Sequence, residues 1–171
     1  DKPSIAVLPF DNMSDDAEQE YFSDGITEDL ITDLSRVAGL FVVARNSTFA
    51  YKGKPVKIRQ VAEDLGVHYV LEGSVRRSAN RIRITAQLID ALKGNHIWAE
   101  RYDRELKDDF AIQSEVAQKV SKALAATINA SEYELLFLKQ TTKSAADRQH
   151  LFDAAKLAGI PEYPQPVTRS P

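Results

Sequence analysis

The stretch from Val67 to Glu105, VHYVLEGSVRRSANRIRITAQLIDALKGNHIWAERYDRE, constrains the fold more than any other part of the chain. Val67, Tyr69, Leu71 and Val75 recur at period two, and Ile82, Ile84, Ala86 and Leu88 repeat that pattern after a turn at Ser78-Ala79-Asn80. A second turn signal, Lys93-Gly94-Asn95, leads to a third run with Ile97 and Ala99 on one face and His96, Trp98, Glu100 and Tyr102 on the other. The block predicts an antiparallel three-stranded meander, and no catalytic constellation interrupts it.

The rest of the chain predicts alternating strands and helices. Ser4 to Phe10 is an apolar run without alternation, which implies a strand buried on both faces with Pro9 at its end. Ile26, Leu30, Leu34 and Val37 form one helical stripe ending at Gly39, with the acids at 24, 28 and 29 near its start. Leu40 to Ala44 reads as a second buried strand, Asn46 to Tyr51 as a turn, and Ile58, Val61, Ala62 and Leu65 as a helix closed by Gly66. After the meander, Asp108-Asp109 opens a long helix whose ridge is Ile112, Val116, Val120, Leu124 and Ile128. The predicted fold class is α/β: a mixed five-stranded sheet, β-α-β-α-β plus the antiparallel meander, packed with helices.

Length and composition fit one domain with a tail. At 171 residues, the predicted division is an α/β domain over 1–139 and a linker, short helix (147–158) and Pro-rich tail over 140–171. No apolar run approaches the ~20 residues of a membrane span. A net charge of −3 argues against a surface built wholly for nucleic acid, and the absence of cysteine excludes disulfides and thiolate chemistry. The opening Asp1-Lys2-Pro3 reads as the end of an incoming linker, so the chain is expected to be a piece of a larger protein.

Few residues offer chemistry. The acidic segment Asp11 to Glu20 fails the EF-hand spacing, because Met13 takes the third position and no glycine follows at the sixth. His68, His96 and His150 lack metal-binding spacing, and no serine sits in a nucleophile elbow. No phosphate-cradling glycine loop follows either early strand. No catalytic residue, metal site or cofactor is therefore assigned. Two candidate sites remain. Arg76, Arg77, Arg81 and Arg83 cluster at the tip of the first hairpin, suited to an anion or an acidic partner, although edge-strand arginines also serve to block sheet aggregation. His96, Trp98 and Tyr102 form a candidate ligand or partner face, with packing beneath a helix as the plainer explanation.

Several long motifs occur in a recognisable order: PSIAVLPFDNMS, EQEYFSDGITEDLITDLSR, LFVVARNSTFAYKGK, VAEDLGVHYVLEGSVRR, RIRITAQLIDA and HIWAERYDRE. They resemble the bacterial TolB amino-terminal-like domain, in the version attached to class III adenylate/guanylate cyclases with tetratricopeptide repeats. The resemblance covers roughly Pro3 to Ala130. It implies a TolB-like fold, itself similar to the anticodon-binding domain of class II tRNA synthetases. It also implies a position between a cyclase or DNA-binding effector and helical repeats. Neither the cyclase domain nor the repeats lie in these residues, and the resemblance supplies no catalytic residue. Leu157 to Glu162 is similar to the segment that ends repeat-containing relatives, which favours a short natural variant as the alternative to a fragment.

The expected role is a non-catalytic regulatory and protein-interaction module of a bacterial cyclase-type signalling protein. Its partners would be a protein or neighbouring domain, the cyclase or the helical repeats, with a homodimer as an alternative. A small-molecule or nucleotide sensor is the competing class. Nucleic-acid binding through the basic hairpin ranks third. The expected compartment is the cytoplasm, with the periplasm as the alternative.

Overall fold

The computed structural model describes residues 2–140, with side chains through residue 132. The short helix expected over 147–158, the Pro-rich tail and His150 lie outside the described residues. The chain divides into two compact units, Asp1–Ala125 and Ala126–Pro171, and every strand belongs to the first.

β1 (Ser4–Val7) is an interior strand, as its unbroken apolar run requires: Ile5, Ala6 and Val7 are fully buried. It pairs in parallel with β3 (Phe41–Val42) on one side and β4 (Tyr69–Ser78) on the other. β4, β5 (Arg81–Asp90) and β6 (Asn95–Glu105) form the expected antiparallel meander, giving the order β3-β1-β4-β5-β6. A sixth, two-residue strand, β2 (Asp11–Asn12), continues the ladder of β1 along β4. Two polar residues can form it because the ladder is made by backbone groups.

Three local expectations are corrected. α1 (Glu18–Ser35) begins well before its apolar stripe, after Asp16, whose carboxylate accepts the Glu18 N–H at 2.9 Å. The acids at 24, 28 and 29 therefore lie in mid-helix, away from the positive end of the dipole, while Gly39, at φ 80°, sits in the turn beyond the Arg36 cap. The run Leu40 to Ala44 forms only the edge strand β3, with Phe41 60% exposed, because among the described residues no further strand lies on that side. Arg45–Phe49 is a short helix, α2, too brief for its periodicity to show in the sequence. α3 (Ile58–Leu65) ends as expected on Gly66, which adopts φ 66° and a left-handed cap available cheaply only to glycine.

Register assigns the two faces of the sheet. Leu71, Val75, Ile82, Ile84, Ala86 and Leu88 point to one side, all within 1% of complete burial. α1 presents Phe22, Ile26, Leu30 and Leu34 there, and α4 (Asp109–Gln140) its buried stripe Ile112, Val116, Val120 and Leu124. Burial of each such aliphatic side chain contributes about 1.5–3 kcal/mol. On this side Gly25 of α1 meets the Gln113 amide of α4 closely enough to leave no room for a Cβ. On the other face Ala6, Leu8 and Val70 pack with Val61 and Ala62 of α3, and there the cover stops. Beyond Val70 that face turns polar, with Glu72, Ser74 and Arg76 on β4 and Arg83, Thr85 and Gln87 on β5.

Candidate functional site

The sheet face that no described helix covers carries the hairpin arginines, except for one. Arg76 lies directly opposite Arg83, and Arg81 lies between Ser78 and Glu105, all on the open face. Arg77 pairs with Ile82 and points to the other side, where it ties down the acidic loop. Its backbone N–H donates to Ser14 Oγ at 2.6 Å, and its guanidinium donates to Asp16 Oδ2 at 3.3 Å and to the Ala79 carbonyl at 3.2 Å. Arg101, opposite Thr85, joins the open-face group. The sequence reading passed over it, although it sits two residues from Ala99 on the strand alternation already recognised.

Among the described residues one carboxylate is hydrogen-bonded to this cluster, and a second, Glu105, lies opposite Arg81 on the same face. Arg83 donates to both oxygens of Asp103, at 2.8 and 3.1 Å, and the bonds hold the Asp103 carboxyl below its ordinary range, helped by the charges of Arg101 and Arg81. Among the described residues, Arg76, Arg81 and Arg101 have no ion pair. Like charges placed directly across a ladder, as Arg76 and Arg83 are, destabilise a sheet.

The second candidate face divides. Trp98 pairs with Leu88 and Tyr102 with Ile84, so both lie on the helix-covered side, half-buried. A β-bulge between Leu88 and Ile89 leaves Ile97 unpaired and sets His96 opposite Ile89, on the open face. The expectation that His96, Trp98 and Tyr102 share one face is thus corrected by a single extra residue. Tyr102 is flanked by the Arg104 guanidinium, 5.9 Å from its ring, and Arg104 donates to Glu115 of α4 at 2.7 Å. Burial raises the Tyr102 hydroxyl pKa. These contacts are those of a packed strand under a helix.

Sequence reading did not anticipate a third feature. A cleft of about 250 Å³ opens on the uncovered face between the sheet and the loop over residues 51–56. Glu72, Ser74, Thr85 and Gln87 form its floor, Leu8 and Asp11 one wall, and Tyr51, Lys54 and Val56 the other. Lys52 also lines it, but its ammonium is held by Asp24 at 2.6 Å and Glu20 at 3.2 Å, both on α1. Those bonds raise its pKa, that to Asp24 most. Burial raises the Glu72 carboxyl, the charge of His96 lowers it, and that of Asp11 raises it further. The signal for the cleft is the switch from Val70 to Glu72 on one face of β4, which marks where the helical cover ends. The cleft adjoins the end of β1, between oppositely directed chain crossings, the place where open α/β sheets commonly take ligands.

Among the described residues no three His, Asp or Glu side chains converge to hold a metal ion, and no helix is long and apolar enough to cross a membrane.

The chain has relatives of three kinds. Over 133 residues, 78% of its length, it is 68% identical to the Rhizobium meliloti (strain 1021) protein named "Putative adenylate cyclase 3", of which it spans 23%. TolB from Acinetobacter baumannii superposes with a TM-score of 0.55 at 20% identity, over 76% of this chain and 29% of that one. A lipoprotein from Neisseria meningitidis superposes with a TM-score of 0.52 at 20% identity, over 71% of this chain and 96% of that one. At these identities the structural likeness is one of fold, and the fold is TolB-like, as the sequence resemblance implied. The second domain of HilA/YgeH-like transcriptional regulators matches residues 1–121, and the chain belongs to that family.

Proposed function

We propose that this chain is a non-catalytic regulatory and protein-interaction module of a bacterial adenylate cyclase-type signalling protein. The open sheet face would dock an acidic surface of a neighbouring domain. The observation that carries this reading is the arrangement of Arg76, Arg81, Arg83 and Arg101 on a face that no described helix covers, with Asp103 as their one hydrogen-bonded counter-charge among the described residues. An opposed Arg76/Arg83 pair costs stability in the isolated module, and an acidic partner would convert that repulsion into attraction. Kinship with both transcriptional regulators and a cyclase relative supports a role that is neither cyclase chemistry nor DNA reading. What two kinds of output protein can share is a means of coupling. Beside a cyclase domain that draws on ATP, a cytoplasmic nucleotide, the module would lie in the cytoplasm.

The test uses the full-length encoded protein with Arg76→Glu and Arg81→Glu combined. Docking predicts altered cyclase turnover, or an altered salt dependence of turnover, with the module still folded by circular dichroism. Unchanged kinetics at low and high salt would sink the reading. So would nucleotide turnover by the purified 171-residue chain that persists on repurification.

A further inference from the structure

The cleft beside the arginine face has a chemistry of its own. Its floor carries the Glu72 carboxylate, which has no ion pair or hydrogen bond among the described residues, and its rim carries Lys54, whose ammonium is likewise unpaired. The apolar side chains of Leu8, Tyr51 and Val56 line the same cleft. We propose that this cleft binds a free α-amino acid with an aliphatic side chain, its ammonium group on Glu72 and its carboxylate on Lys54.

The alternatives are excluded by charge and size. A bare anion would meet Glu72 on the floor and Asp11 on the wall, and a bare cation would meet Lys54 at the rim. A purely apolar ligand would strip water from Glu72 and return no counter-charge, which is costly. A metal ion would need more than the two carboxylates present. At about 250 Å³ the cleft falls below the roughly 300–1,000 Å³ of pockets for drug-sized ligands, which disfavours a nucleotide and fits one amino acid. The titratable groups facing Glu72 are Asp11 and His96 across the sheet and Tyr51, Lys52 and Lys54 from the loop. Burial raises the Glu72 carboxyl, His96 lowers it and Asp11 raises it, and an ammonium beside it favours the charged form. The site stands apart from the docking face: Arg76→Glu and Arg81→Glu together should leave amino-acid binding unchanged.

The experiment is a titration of the 171-residue chain with L-alanine, L-valine and L-leucine, followed by calorimetry and by amide chemical shifts. Leucine amide and 4-methylpentanoate serve as the cation-only and anion-only probes. The expected result is saturable binding of at least one amino acid, with shifts centred on Gly53, Gly73 and Gln87 and weaker binding of both probes. Glu72→Gln should weaken binding about tenfold, the loss of one charge-assisted hydrogen bond, while circular dichroism stays unchanged. Lys54→Gln should weaken leucine binding but not that of leucine amide. The proposal is overturned if no amino acid gives a saturable response at millimolar concentration, if Glu72→Gln binds as well as wild type, or if either probe binds as tightly as leucine.

Discussion

Arg83 and Asp103 face each other across β5 and β6 and are joined by two parallel hydrogen bonds, Nε to Oδ1 at 2.8 Å and Nη2 to Oδ2 at 3.1 Å. The fork fixes both side chains and offsets the charge of Arg83, whose other cross-strand neighbour is Arg76. Because the folded Asp103 pKa is depressed, chiefly by Arg83, its contribution is present above the ordinary carboxylate range and is lost as pH falls through the lowered value. Asp103→Asn should therefore lower the melting temperature at neutral pH, and the gap to wild type should close in acid. Added salt should also narrow it, since both groups are solvent-accessible. Melting curves collected from neutral to acidic pH check this, and a gap independent of pH would contradict it.

Glu72 has the opposite sign. Burial raises its folded pKa above the unfolded value, so the folded state loses relative stability as pH rises from the ordinary carboxylate range through the raised value. Glu72→Gln, in the absence of ligand, should stabilise the chain at neutral pH and lose that advantage in acid. A variant less stable than wild type at neutral pH would show that Glu72 has a partner in the folded state.

Much of this fold is legible in the chain because one rule governs each legible element. The meander follows from strict alternation in Tyr69 to Leu88, and the α4 stripe from four-residue spacing between Ile112 and Leu124. The failures occur where a rule is local to the backbone or set by distant cover. β2 is held by main-chain pairing, so Asp11 and Asn12 give no side-chain signal. Phe41 is apolar like its neighbours and differs only in being at the sheet edge, which depends on strand order. The bulge at Ile97 reverses the side on which His96 falls, and composition does not announce it. The cleft depends on where α3 stops covering β4, a matter of helix length and docking that Glu72 alone only hints at.

Gly73 supplies a test of packing between Phe10, β4 and β5. A Cβ at this position would lie 2.5 Å from the Phe10 ring and 2.5 Å from the Thr85 carbonyl oxygen, both closer than real contacts allow. Gly73→Ala should destabilise the chain by about 1–3 kcal/mol through overpacking. Shortening the ring does not cure this, since the carbonyl belongs to the ladder itself. Gly73→Ala with Phe10→Leu should thus remain at least as unstable as Gly73→Ala alone, measured by urea denaturation. Full rescue would place the strain in the ring only.

Ala79 offers the reverse case at the tip of the arginine hairpin. The loop between β4 and β5 is Ala79-Asn80, and Ala79 adopts φ 54°, the left-handed region in which a Cβ crowds the following carbonyl. Two-residue hairpin loops favour glycine or asparagine where φ is positive. Ala79→Gly removes a strain of about 1–2 kcal/mol and adds about 0.4–1 kcal/mol of unfolded-chain entropy, so a net gain of up to about 1.6 kcal/mol is expected. Ala79→Val should lose stability, because a β-branched residue tolerates this region less well than alanine. The order valine, alanine, glycine in urea midpoint, at a constant slope, checks the backbone conformation directly. Since Ala79 contributes only its carbonyl to Arg77, at 3.2 Å, the glycine variant should leave the arginine face unchanged. A glycine variant no more stable than the valine one would mean that the loop does not hold the positive φ in solution.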